Sequence, residues 1–585
     1  MADPGHLSLS EIQDAIHQLD RNEPGARPLL QDPARQIRLF TLWPGTQESP
    51  IHGVFSVATL DDGPDYQCIS YVWGDASDTK DITVGGKDFK ITTSLFSVLR
   101  RIRSEQEYLT VWADALCINQ DDHEEKRVQV DMMFDIYSKC SNCFFWLGEV
   151  DLLDGELSLD IARYGLDFIE FCDDTDLERE NNGFSTAEGL MKICLTFRSL
   201  AKCQWWRRIW TVQECVAPHT GIFLWGPLTI CRFPLIHFYK NSVRAAFEKR
   251  RWISDKWDKH YFEAAGAMKS LLELLSTLRN RIESRSQAVV DGVASISFLW
   301  NACDRRALDP RDKIFALLPF IAGALVKSKS SNYDIDCVEL YSRVTVDLIR
   351  SCQSLLPLMG RRQSETPLEG PSWVLDWRRQ EMAQHKEVNA FTMALRLTYH
   401  FDASHGLPRL DLQNLLSGDG RQLRLRGHFV DTLVGKLMPP TGVSAGYDDP
   451  LNYMQSLKIL RQIWKQSVAE DAFSALRNLD GPLVTNEVVT EFSGMLDDVL
   501  DLRIQYESQD WELKEKAQLV SWLQSRIMTI FLVSAGRFGV GTWDVKPGDE
   551  VWILCSGHMP LILRPVRDDN GHVDGPDTFI FSRDA

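Results

Sequence analysis

Short apolar runs separated by turn residues characterise the first patterned stretch of the chain. CISYVW (68–73) and ITV (82–84) are two of these runs, and a Gly-Gly pair at 85–86 precedes a third, FKI. Runs of this length bounded by turn residues predict β-strands and one hairpin. Between 95 and 102 the apolar residues recur at i, i+3, i+4 and i+7, which predicts a helix.

Strand and helix patterns then alternate along the chain. LTVWADALCI (109–118) predicts a buried strand that runs into a loop, and CFFWLG (143–148) predicts another buried strand. Between them, 124–139 has helical spacing, with an apolar stripe formed by Val128, Met132 and Ile136. A β-α-β-α alternation with nearly continuous apolar strands predicts an α/β fold, with helices on the faces of a parallel or mixed sheet.

The pattern divides the chain into four regions. They are 1–30 (an N-terminal helix and linker), 31–226 (the α/β domain, with its core at 66–217), 227–370 (a mainly helical region) and 371–585 (a mixed α/β region with a β-rich end). In the last region, Pro547–Asp549 supplies the predicted turn between two strands.

Composition and charge exclude several classes of protein. The formal charge of -18 repels polyphosphate, so we expect neither a nucleic-acid binder nor a protein that binds anionic membranes. The N-terminus lacks the basic start and apolar run of a signal peptide, and no apolar stretch approaches the roughly 20 residues that span a bilayer. Thirteen scattered cysteines fit reduced thiols. Together these features predict a cytoplasmic protein.

Common catalytic motifs are absent from the sequence. It contains no phosphate-binding G-x-x-x-x-G-K-[ST], no G-x-G-x-x-G, no H-E-x-x-H and no G-x-S-x-G. Cys117 with His123 is a weak candidate for a thiol hydrolase, because sequence proximity does not establish a catalytic pair. Cys140 and Cys143 lack the second ligand pair that a zinc site needs. We therefore expect no metal and no required cofactor.

Three segments resemble the diagnostic blocks of the fungal heterokaryon incompatibility (HET) domain. They are CISYVWGD (68–75), VWADALCINQDDHEEKRVQVDMMFDIYSKCSNCFFWLG (111–148) and WWRRIWTVQE (205–214). DPRDKIFALLP (309–319) and PSWVLDW (371–377) resemble the downstream part of long members of that family. The combination is far more specific than any single block.

The resemblance implies a role in vegetative incompatibility, in which fusion of genetically different hyphae is answered by death of the mixed cell. HET domains are remotely similar to Toll/interleukin-receptor (TIR) domains, which have a flavodoxin-like fold and often cleave NAD at the nicotinamide–ribose bond. The expected fold is therefore a TIR-like parallel-sheet domain, followed by a helical middle region and a small β-rich C-terminal portion. NAD becomes a candidate substrate.

Polar residues that follow the predicted strands are candidates for the site, because ligands of open α/β sheets bind outside the carboxyl ends of the strands. After the first two long strands these candidates are Tyr71, Trp73, Gly74, Asp75, Asp114, Asn119 and Gln120. In the third block, helical spacing places Arg207, Trp210 and Glu214 on one face. We expect this helix to lie beside the strand ends and to complete one polar cavity.

The TIR analogy suggests roles for these residues. Glu214, with Asp114, is the candidate catalytic carboxylate, because an acid near the ribose stabilises an oxocarbenium-like transition state. Trp73 or Trp210 is a candidate for stacking on a base, and Arg208 or Arg207 for pairing with the diphosphate.

Structural interpretations compete with each of these roles. Trp205 and Trp210 also suit the core, and Asp114 also suits a loop cap. Glu214 also suits an ion pair with Arg207 or with another basic residue. Arg311 and Asp312 are interpreted as a structural ion pair. Two functions therefore stay open: an NAD hydrolase that acts as a cell-death effector, and a non-catalytic module that binds a non-self protein partner. Self-association is compatible with both.

Overall fold

The computed structural model describes residues 27–173, 183–184, 186–232, 234–236, 272, 275, 279, 292–303, 305–325, 331–359, 370–378, 403–417, 420–436, 528–534, 538–542, 545–566 and 579–581. The N-terminal compact unit consists of residues 1–290, 297–337 and 380–382, and the C-terminal unit consists of residues 291–296, 338–379 and 383–585. The helix predicted within 1–30 lies outside the described residues.

A nine-stranded sheet forms the centre of the N-terminal unit. Its strands are β1 (Gln36–Leu42), β2 (His52–Thr59), β3 (Gln67–Ser70), β4 (Thr79–Val84), β5 (Lys87–Thr92), β6 (Leu109–Trp112), β7 (Asn142–Trp146), β8 (Ile222–Trp225) and β9 (Leu228–Cys231). Their spatial order is β5-β4-β2-β1-β6-β3-β7-β8-β9.

The middle of this sheet is parallel. β3 pairs in parallel with β6 on one side and with β7 on the other, and β8 pairs in parallel with β7. Counted along the chain, these four strands lie in the order second, first, third, fourth. This is how the first four strands of a flavodoxin-like sheet are arranged. The predicted α/β architecture is confirmed, with the parallel strands at its centre.

Mostly antiparallel pairs extend the parallel centre on both sides, and only β2 and β4 pair in parallel among these outer strands. β1 lies antiparallel to β6 and β2, and β9 forms a hairpin with β8. The β4–β5 hairpin turns at Gly85 and Gly86, whose φ angles of 54° and 82° are in the left-handed region that glycine adopts readily. The predicted Gly-Gly turn is confirmed, and the complete sheet is mixed.

Helices connect the strands and continue downstream. They are α1 (Thr93–Ile102), α2 (Asp114–Cys117), α3 (His123–Asp131), α4 (Met133–Lys139), α5 (Leu159–Asp173), α6 (Ala187–Lys202), α7 (Thr211–Val216), α8 (Gly292–Ala302), α9 (Asp312–Phe315), α10 (Leu318–Ile321) and α11 (Cys337–Cys352). The Thr92 side chain caps α1 by accepting a hydrogen bond from the Leu95 amide. No helix in the described part of the chain has the length and apolar character needed to cross a membrane.

The segment 124–139, predicted as one helix, forms the two helices α3 and α4, and the predicted apolar stripe is wrong for α3. Val128 is only half-buried, whereas Glu125 and Gln129 are buried. Glu125 accepts two hydrogen bonds from the Arg38 guanidinium, at 2.6 and 2.8 Å. The Gln129 amide donates to two backbone carbonyls. These polar side chains are buried because each has partners, which apolar spacing does not indicate.

The C-terminal unit contains a six-stranded antiparallel sheet. Its strands are β10 (Gly427–Lys436), β11 (Met528–Val533), β12 (Phe538–Thr542), β13 (Glu550–Leu554), β14 (Leu561–Pro565) and β15 (Phe579–Phe581). Their order is β12-β11-β10-β13-β14-β15, and Leu433, Val533 and Val551 belong to the buried core on this sheet. The turn at Pro547–Asp549 precedes β13, and Gly548 has a φ of 91° there. The β-rich C-terminal end is confirmed.

Candidate functional site

The carboxyl ends of the parallel strands bring two of the sequence blocks together. β3 ends at Ser70 and continues into the loop 71–75, and β6 ends at Trp112, just before Asp114 begins α2. From β3 the chain crosses to β6 on one side, whereas from β7 it crosses to β8 on the other. The space between the ends of β3 and β7 is therefore the point where such sheets bind ligands.

The third block does not form the single helix that its spacing predicts. Gln204–Arg207 forms a 3-10 turn, Arg208 forms an isolated β-bridge, and α7 begins only at Thr211. The Thr211 hydroxyl donates to the Arg208 carbonyl at 2.7 Å and holds this break. The prediction that Arg207, Trp210 and Glu214 share one helical face is therefore wrong.

Asp114, Arg208 and Glu214 form a charged cluster beside the strand ends. Arg208 Nη2 lies 3.8 Å from Asp114 Oδ2 and 3.9 Å from Glu214 Oε1. The Glu214 side chain is 1% exposed, that of Asp114 12% and that of Arg208 21%. Arg208 Nη1 also donates to the Tyr71 carbonyl, which attaches the cluster to the end of β3. The guanidinium therefore bridges two carboxylates that come from separate sequence blocks.

The two carboxyl oxygens of Glu214 differ in their hydrogen bonding. Its Oε2 accepts a hydrogen bond from the Ser70 hydroxyl, and Ser70 Oγ accepts one from Trp205 Nε1 at 2.8 Å. Oε1 is buried and has no hydrogen-bond partner among the described residues. The carboxyl group is thus held in one orientation by Ser70, while Oε1, which lies 3.9 Å from Arg208 Nη2, has no hydrogen bond and can take up a proton.

The same part of the site contains a further buried hydroxyl. Tyr71 is fully buried, and its hydroxyl lacks a hydrogen-bond partner within the described part of the chain. Asp114 accepts hydrogen bonds from Trp73 Nε1 and from the Ala115 amide, both at 2.8 Å. The hydrogen bond from Trp73 to Asp114 therefore attaches this tryptophan to the edge of the charged cluster.

Burial sets the protonation behaviour of the charged cluster. It raises the pKa of Glu214 to about 7, although Arg208 lowers this pKa and Asp114 raises it. Burial also raises the pKa of Asp114 against the effect of Arg208. For Arg208, burial lowers the pKa, but the two carboxylates outweigh it and the net change is upward. A carboxyl that titrates near neutral pH is suited to acid–base or charge-stabilising chemistry.

A cavity of about 260 Å³ opens at the ends of β3 and β7, and we call it the strand-end cavity. Its wall consists of Trp73, Gly74, Asp75, Asp78, Thr93, Ser94, Ser97, Trp146, Gly148 and Glu149. Trp73 belongs to this wall and also donates to Asp114. The cavity and the charged cluster are therefore adjacent and share one tryptophan. The prediction that Glu214 and the strand ends complete one polar cavity is wrong, because Glu214 is buried beside the cavity and does not line it.

Several predicted site residues lie together, and others do not. The structure brings Tyr71, Trp73, Asp114, Arg208 and Glu214 into one cluster. Gly74 and Asp75 line the adjacent cavity, where Gly74 has a φ of 76°.

Three predicted residues are placed elsewhere. Arg207 is exposed, and Trp210 donates from Nε1 to Asp312 at 3.1 Å instead of joining the cluster. Asn119 accepts a hydrogen bond from the backbone within its own loop. The predicted pair of Arg311 with Asp312 is also wrong, because Arg311 pairs with Asp309 at 2.7 Å.

Sequence reasoning did not identify two residues that position Glu214. Ser70 and Trp205 form the hydrogen-bonded chain to its Oε2. The available signal was a serine within an otherwise apolar strand, CISYVW, since a buried hydroxyl requires a partner. Sequence reasoning also missed two residues of the cavity wall: Trp146, the last residue of β7, and Glu149, which follows that strand.

Comparisons with known proteins identify relatives of the N-terminal part of the chain. The model of the family described as heterokaryon incompatibility protein (HET) matches residues 66–214. Heterokaryon incompatibility protein 6, OR allele, of Neurospora crassa is 31% identical over 237 residues, which cover 34% of this chain and 34% of the relative. The chain thus spans about a third of the length of this curated relative. No solved structure matches.

The matched residues contain the parallel strands β3, β6 and β7 and all three members of the charged cluster. Residues 66–214 of this chain are therefore identified as a HET domain.

Proposed function

We propose that this chain is a fungal heterokaryon incompatibility protein whose HET domain acts as a cell-death effector by hydrolysing NAD at the nicotinamide–ribose bond. The similarity to heterokaryon incompatibility protein 6 of Neurospora crassa supports the assignment to heterokaryon incompatibility. The surroundings of Glu214 support NAD hydrolysis. Ser70 fixes one of its carboxyl oxygens, the other has no hydrogen-bond partner among the described residues, and burial raises the pKa of the group to about 7.

The reaction requires a negative charge close to the ribose. The bond between C1′ and the ring nitrogen breaks, and its electron pair leaves with nicotinamide, which neutralises the charge of the ring. The ribose then develops oxocarbenium character, which a nearby carboxylate stabilises. Water adds to C1′ and releases a proton, so that the products are ADP-ribose, nicotinamide and one proton. In this proposal, ionised Glu214 supplies the stabilising charge.

Arg208 is the basic residue of the site. Its guanidinium is 21% exposed and belongs to the charged cluster. Guanidinium suits a diphosphate because it offers planar, bidentate hydrogen bonding. In this proposal Arg208 binds the phosphates, and it also keeps part of the Glu214 population ionised by lowering its pKa.

Access to Glu214 requires a movement, because its side chain is only 1% exposed. Trp73 lies between the strand-end cavity and Asp114, since it lines the cavity and donates to that carboxylate. The proposal therefore includes displacement of Trp73 when substrate enters. Until substrate displaces it, Trp73 closes the site and excludes water from the charged groups.

A second candidate function is favoured by the same burial. If Glu214 serves only the packing of the domain, the HET domain is a non-catalytic module that binds a non-self protein partner or a second copy of the chain. Glu214→Gln separates the two functions, since glutamine keeps the shape and the acceptor for Ser70 but cannot ionise. We expect this variant to stop both NAD loss and cell death. Death that persists without NAD loss would instead support the non-catalytic function.

A further inference from the structure

The wall of the strand-end cavity is negatively charged. Asp75, Asp78 and Glu149 contribute three carboxylates, and the wall contains neither lysine nor arginine. None of the three forms an ion pair with any described residue. Hydrogen bonds from Ser77 to Oδ1 lower the pKa of Asp75 and keep it ionised. The cavity wall therefore carries three carboxylates, none of which is paired with a described basic side chain.

The N-terminus of α1 contributes a partial positive charge, which is smaller than the negative charge of the three carboxylates. A helix N-terminus is equivalent to roughly half a positive charge. Here the Thr93 amide donates to the Asp78 carbonyl, and the Thr93 hydroxyl donates to the Asp78 carboxylate at 2.7 Å. A full negative charge thus already lies at this terminus, and two further carboxylates, Asp75 and Glu149, remain. The balance of charge favours a cation over an anion.

The volume of the cavity and the two tryptophans in its wall indicate which kind of cation it can bind. Trp73 and Trp146 both line the cavity, and tryptophan is the side chain that best attracts a cation to its ring face. Ligand pockets commonly measure about 300–1,000 Å³, so a cavity of about 260 Å³ holds one substituted ring rather than a whole dinucleotide.

We infer that the strand-end cavity is a subsite for a positively charged planar ring, an N-alkylpyridinium, and that it rejects phosphate. This inference rests on the proposed function, in which that ring is the nicotinamide of the substrate. The diphosphate then lies outside this cavity, on the side of Arg208. The subsite selects the oxidised cofactor, whose ring is charged, over the neutral reduced form. It also releases nicotinamide readily, because the ring loses its charge when the glycosidic bond breaks.

Three small probes of matched size test the charge preference on the full chain. They are 1-methylnicotinamide, which is a cation, nicotinamide, which is neutral, and nicotinate, which is an anion. Ligand-observed NMR titration measures their affinities without any turnover. We expect the cation to bind about tenfold more tightly than nicotinamide at low salt, and nicotinate to bind most weakly.

Glu149→Gln is the informative variant, because Glu149 is exposed and forms no hydrogen bond with the described residues whose loss would disturb the fold. We expect it to weaken binding of the cation about threefold and to leave nicotinamide unchanged. Glu105→Gln, an exposed position beyond the other end of α1, is the matched control and should change neither affinity.

Equal affinities for the cation and the neutral probe, or a preference for nicotinate, would overturn the inference. The binding titration, taken together with an assay of NAD hydrolysis, also distinguishes failure of the subsite from failure of the proposed function. NAD hydrolysis without a charge preference would overturn the subsite alone, whereas a clear preference for the cation without NAD hydrolysis would overturn the hydrolase proposal and leave a cation site.

Discussion

Glu214→Gln tests whether the buried carboxyl is kept for chemistry or for stability. Burial raises its pKa from the ordinary value of 4.5 to about 7, even with Arg208 nearby. A raised pKa means that the folded state binds the proton more tightly than the unfolded state, so stability falls as the pH rises from 4.5 to about 7. The shift corresponds to about 3 kcal/mol lost at pH 8.

Glutamine cannot ionise, so the variant avoids this loss. Arg208 keeps a counter-charge in Asp114 at 3.8 Å, and Ser70 keeps an acceptor in the amide oxygen. We therefore expect thermal unfolding of the variant to match the parent at pH 5 and to shift upward by several degrees at pH 8. NAD turnover, followed by chromatography of ADP-ribose, should fall about 100- to 1,000-fold.

Glu125→Gln is the matched control for this experiment. Glu125 is also a buried glutamate, but both of its oxygens bind Arg38, at 2.6 and 2.8 Å. Removing one partner of a buried ion pair costs about 3–5 kcal/mol, so this variant should unfold at a lower temperature at both pH values. If Glu214→Gln behaved like Glu125→Gln at pH 8, the carboxyl of Glu214 would be a structural ion-pair partner and the reasoning would be refuted.

Three further predictions concern the charged cluster and Ser70, which positions Glu214. The kcat/KM for NAD should rise with pH below about 7 and level off above it, because the ionised form stabilises the transition state; a flat profile from pH 5 to 9 would contradict this. Ser70→Ala removes a hydrogen bond that lowers the pKa of Glu214, so the midpoint of the profile should move upward and turnover should fall; an unchanged midpoint would argue against Ser70 as a positioning residue. Arg208→Lys should weaken NAD binding, measured as a higher KM, because lysine lacks the bidentate geometry of guanidinium; an unaltered KM would place the diphosphate elsewhere.

The sequence predicted the site mainly through the ends of its strands. Tyr71 and Asp114 follow buried apolar strands, and in a parallel sheet such positions lie at one edge. That rule, together with the resemblance of the third block, predicted that Glu214 would lie beside them, and the structure places it there.

The details that the sequence could not provide depend on contacts between distant residues. The sequence offered both Arg207 and Arg208 as candidates, and helical spacing favoured Arg207. The 3-10 turn and the β-bridge place Arg208 in the charged cluster and leave Arg207 exposed. Ser70 and Trp205 are 135 residues apart, and only the folded sheet shows that their hydrogen bond orients Glu214. In α3 the apolar pattern predicted that Val128 would face the core and did not predict burial of Glu125, which is buried because Arg38 pairs with it.

NAD measurement in fungal cells that express the full chain tests the central claim most directly. Cells that express the parent protein should lose NAD and accumulate nicotinamide and ADP-ribose in equal amounts before they die. Cells that express Glu214→Gln at the same protein level should retain NAD and survive. Death of the parent-expressing cells with their NAD unchanged would contradict the hydrolase account.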